Sequence, residues 1–154
     1  MATSRAQQQR LRLIRQLQAA RDSLHAWDAS LRAIAIHSPS SSPNAHPSQT
    51  AVLLAIVNDA KQGVDRRLGE LGVSATDSLP CVLEKSPETR RLPRSAAESS
   101  LNLCIKACRM CGRALGSAFR EAQKVADSAS ARILYGSIRD LEKQLWVLDP
   151  HQAH

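Results

Sequence analysis

Aromatic side chains are nearly absent from this chain of 154 residues: Trp27, Phe119, Tyr135 and Trp146 are the whole set. Nucleic-acid modules that stack bases on exposed rings need more than that, and an all-β domain favours aromatics as well. No apolar run approaches twenty residues, so no membrane span is expected. The opening Met-Ala-Thr-Ser-Arg leads into arginines and glutamines with no apolar stretch behind it, which points to a cytoplasmic protein without a secretory signal. Cysteines number four, and in that compartment they read as thiols rather than a disulfide framework. Acids are also in deficit, 14 against 21 Lys and Arg, for a net charge of +7. A charge of that sign suits a polyanion partner. There is no phosphate loop, no GxSxG, no dinucleotide fingerprint and no HExxH, and no Ser, His and Asp set suggests a triad.

Helical periodicity is abundant. Leu11, Ile14, Leu17, Leu24, Trp27, Leu31 and Ile34 recur at three- and four-residue steps over residues 5–36, a segment without Gly or Pro. Residues 37–49 hold three prolines and five serines and read as a loop. A second stripe runs from Val52 through Leu53, Val57, Val64 and Leu68 to Leu71 and stops at Gly72, a usual C-terminal signal. Residues 73–94, punctuated by Pro80, Pro87 and Pro93, form a long connection with room for a short helix near 78–85. Ser95 with Glu98 resembles a capping box and opens a third helix, whose face carries Leu101, Cys104, Cys108, Cys111, Leu115 and Ala118. After a short break near Asp127, Leu134, Ile138, Leu141, Leu145 and Leu148 alternate steps of four and three, and Pro150 ends the fourth helix. Four helices and no strands predict an all-α single domain. The long connection lets the second helix run parallel to the third, as in ferritin-like four-helix bundles.

The end of the chain carries a more specific pattern. In the run REAQKVADSASARILYGSIRDLEKQLWVL, the residues Glu121, Ala122, Asp127, Ala129, Ala131 and Leu134 are followed by Arg139, Asp140, Leu141, Glu142 and Lys143. Leu145, Trp146 and Leu148 close it. This run resembles the final helix pair of the Dps family, the DNA-protection-during-starvation proteins. Arg67 with Leu71-Gly72 is similar to that family's end of helix two, and Trp27 to its helix-one tryptophan. The resemblance implies a ferritin-like subunit of a twelve-membered shell that binds DNA, is associated with the nucleoid, and oxidises and stores iron in a stress response. It implies iron ligands between subunits: a His before the helix-one Trp, a His and an acid early in helix two, and an Asp-x3-Glu pair late in helix two.

The chain departs from that pattern at the ligands. Ala26 precedes Trp27, with His25 one place further away. The Asp-x3-Glu pair falls on Gln62 and Arg66, and the early helix-two pair near Pro47 and Ala51. A one-residue slip turns a helical side chain by about 100°. An arginine in place of a carboxylate sets a like charge against the metal, about 4 kcal/mol at 4 Å for an effective dielectric near 20. The expectation is therefore a degraded iron site, with His25, His46, Asp59 and Asp65 as the metal candidates if the register of helix two differs. Under that alternative the protein would be an enzyme, a working ferroxidase.

Two local signals bear on partners. Arg5, Arg10, Arg12, Arg15 and Arg21 occur with no acid among them, which reads either as a solvated helix face or as a DNA-binding arm contacting phosphates without reading sequence. Arg5, Arg10, Arg12 and Arg15 are its candidates, and residues 1–15 are either an arm or the start of the helix. Lys85, Arg90, Arg91 and Arg94 form a second basic cluster. Cys104, Cys108 and Cys111 share one helical face. CIKACRMC resembles the cysteine repeat of copper-storage bundles, giving a thiol or copper-binding alternative, but the same face is the core stripe, and buried thiols act as small hydrophobes.

Overall fold

The first helix begins where the local chemistry says it should. The Ser4 hydroxyl accepts from the Gln7 amide at 3.2 Å and the Gln7 side chain accepts from the Ser4 amide at 3.1 Å, a reciprocal capping box that satisfies two orphan donors. In this computed structural model, which describes residues 4–37, 48–74 and 96–150 (excluding the side chains of 36–37 and 96–99), four helices follow. They are α1 (Arg5–His37), α2 (Gln49–Glu70), α3 (Ala96–Lys124) and α4 (Ser128–Leu148). No strand occurs among the described residues. The Ser95 capping box, the 78–85 helix and the second basic cluster lie outside them.

Each boundary has its own device. Ser48 caps α2 by accepting from the Ala51 amide. At the other end Gly72 takes φ +85°, the Val73 amide donates back to Leu68 and the Gly72 amide to Gly69. That is a Schellman closure, with glycine at the position that needs a left-handed residue. α3 closes the same way, Asp127 to Ala122 and Ala126 to Gln123, but the left-handed residue is Ala126 at φ 56°. Asp127 then caps α4.

Contacts between helix ends fix the topology. The Arg10 guanidinium reaches the Leu71 carbonyl at 3.1 Å, so α1 and α2 are antiparallel. Thr50 Oγ1 lies 3.6 Å from Cys104 Sγ, so α2 and α3 start at the same end and are parallel. Gln144 donates to Gln49 at 2.7 Å and Arg109 pairs with Asp149 at 3.3 Å, so α4 is antiparallel to both. α1 packs on α2 and α3, α4 packs on the same two, and α2 meets α3 only lightly across a diagonal. α2 ends and α3 begins at opposite ends of the bundle, the ferritin-like order with one crossover connection.

The core is one cluster of Leu, Val, Ala and Cys with Trp27 among them. Two expected stripe members are exposed rather than buried or half-buried. Leu11 is 47% exposed and Leu101 44% exposed, and Leu13 is buried where α1 first enters the core. Leu11 lies about 200° round α1 from Leu13 and so faces away from the core, and Leu101 lies at the edge of the buried face near the start of α3. No described helix is long and apolar enough to cross a membrane.

Candidate functional site

The basic segment is the first two turns of α1. From Arg5 to Arg12 every residue is exposed except Gln9, which is half-buried, and the core begins at Leu13. Arg5, Arg10, Arg12 and Arg15 are all exposed, and the first turn contains no acid. Arg10 is steered toward the end of α2 by its bond to Leu71, and the other three have no such tether among the described contacts. Cations at a helix N-terminus oppose the macrodipole, which favours acids there by several tenths of a kcal/mol each. The same arrangement adds arginine charge to the free amides of the helix start, and both attract an anion.

A second polar feature runs between α1 and α2. His25 Nε2 lies 3.6 Å from Asp65 Oδ2, and Arg21 Nε lies 3.9 Å from the other carboxylate oxygen. One turn along, Asp28 Oδ2 accepts from Arg32 at 2.9 Å and stands 3.5 Å from Lys61. Arg21 is 2% exposed, an unusual depth for a cation. It stands beside Asp65 across the helix interface.

The metal candidates distribute unevenly over this network. His25 and Asp65 meet. Asp59 is exposed on α2, six residues and so about 120° round the helix from Asp65, and does not join them. His46 lies outside the described residues, as do His151 and His154. Gln62 and Arg66, where the Asp-x3-Glu pair would stand, are both exposed. Among the described residues no three His, Cys, Asp or Glu side chains converge as a metal set. Iron wants several anionic or imidazole donors. One histidine and one carboxylate shared with a guanidinium do not make such a set within a single chain.

The cysteines of α3 face inward. Cys104, Cys108 and Cys111 are 2%, 3% and 0% exposed. Burial pushes the Cys108 and Cys111 thiols up to about 12, with each neighbouring thiol adding to the effect. Cys104 is raised for the same reason, less so because Thr50 hydrogen-bonds it. All three are members of the core, and no group of His, Cys, Asp or Glu among the described residues is arranged to hold a metal ion. Cys81 lies outside the described residues.

Sequence reading missed two features of these sites. The Ser4–Gln7 capping box was legible as S-x-x-Q and decides that the arginines ride on a helix start rather than on an unstructured arm. The burial of Arg21 had only a positional signal: it stands four residues after Leu17 and three before Leu24, in the seven-residue step of the apolar stripe. Neither a protein-family model nor a curated protein matches this chain.

Proposed function

We propose that this chain is a Dps-like shell protein that binds DNA non-specifically through the start of α1, with the family's iron site degraded. The observation that carries it is the acid-free, exposed pair of turns from Arg5 to Arg12, standing clear of the core. Phosphate contacts of this kind position a protein on a duplex and carry no sequence information. The ferritin-like helix order and the resemblance of the last helix pair support the shell. Trp146 and Val147, adjacent on the last turn of α4 and 53% and 59% exposed, are apolar surface that subunit contacts would cover.

The test is a gel-shift salt titration on two duplexes of unrelated sequence. Four phosphate-bound arginines predict a log–log slope of about −3.6 per chain engaged, roughly a hundredfold loss between about 50 and 200 mM salt. Both duplexes should bind alike. Replacing Arg5, Arg10, Arg12 and Arg15 by Gln together should abolish most of that slope. No shift at the lowest salt, or an unchanged slope in the fourfold variant, would reject the reading.

The ferroxidase alternative has one observation in its favour, the approach of His25 to Asp65. It requires a partner subunit to supply the missing donors.

A further inference from the structure

A groove of about 540 Å³ opens on the outer side of the α3–α4 pair. Its size is ordinary for a small-molecule site. On the floor lie Ile138, Leu141 and Leu145 of α4 and the uncharged Cys108 of α3. Arg109, Arg113 and Arg120 line it from α3, and Glu142 is its one acid among the described residues. Arg109 is partly neutralised by Asp149 at 3.3 Å, while Arg113 and Arg120 are exposed.

The depth of the groove comes from Gly112 and Gly116. A Cβ built at either position meets nothing within 4 Å. These glycines are therefore not required for close helix packing, unlike Gly63, where a Cβ would lie 3.0 Å from the Ile133 side chain. Glycine is the poorest ordinary residue for a helix interior, and here two of them, one turn apart, leave open space over an apolar floor. The lining from Cys108 to Arg120 spans about 18 Å of helix. An extended alkyl chain can lie along that length of apolar floor.

We propose that this groove binds a free single-chain carboxylate, a fatty-acid anion, with its alkyl chain over Gly112 and Gly116 and its head group on the Arg113 and Arg120 edge. Charge complementarity selects the occupant: a guanidinium holds a carboxylate bidentately, and the apolar floor takes the chain. Nucleic acid would leave that floor uncovered. The inference is independent of DNA binding by α1.

The experiment is titration calorimetry of the full chain with laurate below its micelle concentration. Dodecanol supplies the chain without charge, acetate the charge without the chain, and phosphatidylglycerol vesicles a membrane source of anionic lipid. Laurate should bind at one site per chain, and both dodecanol and acetate at least about tenfold more weakly. Gly116→Leu should weaken laurate about tenfold or more while helicity and melting temperature are kept. Gly112→Ala is the milder filling variant and should weaken it in the same direction, serving as the test if Gly116→Leu fails to fold. R113Q/R120Q should bring laurate down to the affinity of dodecanol. Absence of laurate binding up to about 1 mM, unsaturable uptake, equal affinity in the filled variants, or tighter binding to vesicles than to laurate overturns the proposal.

Discussion

Asp127 shows how one side chain joins three elements. It caps α4 by accepting from the Ser130 amide at 3.1 Å and hydroxyl at 2.6 Å, and both its oxygens accept from Arg67 of α2 at 3.0 Å. Arg67 also donates to Ser130 at 2.8 Å and to Glu70 at 2.8 Å. Ser130 is fully buried, so these bonds satisfy groups that water does not reach. Burial alone would raise the Asp127 carboxyl, but the Ser130 hydroxyl and amide and the Arg67 guanidinium outweigh it and hold the group below its ordinary 3.8. A depressed acid stabilises the fold above its unfolded value and loses that contribution as pH falls through 3.8 and below. Asp127→Asn should therefore cost about 2 kcal/mol at pH 7. The gap to the parent chain should close as urea midpoints are followed down through 3.8. A gap that persists unchanged into strong acid would show that the charge is not what matters. Both Arg67 and Asp127 are among the residues that carry the family resemblance, and the bonds above account for their presence structurally.

At the scale of the element, the two Schellman closures form an internal comparison. α2 ends on Gly72 and α3 on Ala126, both in the left-handed region. An L side chain costs roughly 1–2 kcal/mol there. Ala126→Gly should thus stabilise the chain by about 1 kcal/mol, less the extra entropy of an unfolded glycine. That corresponds to a melting temperature higher by about 3 °C. A lower melting temperature would mean that the Ala126 methyl group contributes more than its backbone costs. Helix starts follow a similar logic with side-chain caps, Ser4 with Gln7, Ser48 and Asp127. Between these ends α2 approaches α4 closely enough at Gly63 that a methyl group would press on Ile133.

At the scale of the whole molecule, the α1–α2 face is a ladder of ion pairs rather than a converging set of acids. Arg21 and Lys61 stand beside the carboxylates of Asp65 and Asp28 at 3.9 and 3.5 Å. A cation that close repels Fe(II) and competes for the same oxygens. Anaerobic Fe(II) addition followed by air should therefore give oxidation no faster than the buffer blank, measured on the size-exclusion-purified protein. Rapid oxidation lost on His25→Ala would instead establish the ferroxidase alternative, with donors completed across a subunit contact. Retention of DNA binding in the same preparation would separate the proposed DNA binding from the iron alternative.

Helix number, helix ends and the order of the bundle were legible in the sequence because each rests on local chemistry. Apolar steps of three and four mark a buried face, Gly72 a left-handed closure, and a long connection the crossover that parallel second and third helices require. What a residue of the same type does at a given place was not legible. Leu11 and Leu101 fall at helical steps but stand exposed, because successive three-residue steps drift around a helix: Leu13, about 200° round α1 from Leu11, is the residue that faces the core. Arg21 shares Arg10's direction around α1 but lies far enough along it to face Asp65, whereas Arg12 and Arg15 point about 180° and 120° away. The meeting of His25 with Asp65, the isolation of Asp59, and the slot left over Gly112 and Gly116 are likewise set by the packing of one helix on another. Tertiary structure decided them because each depends on the register between helices far apart in the chain, a quantity that no local pattern encodes.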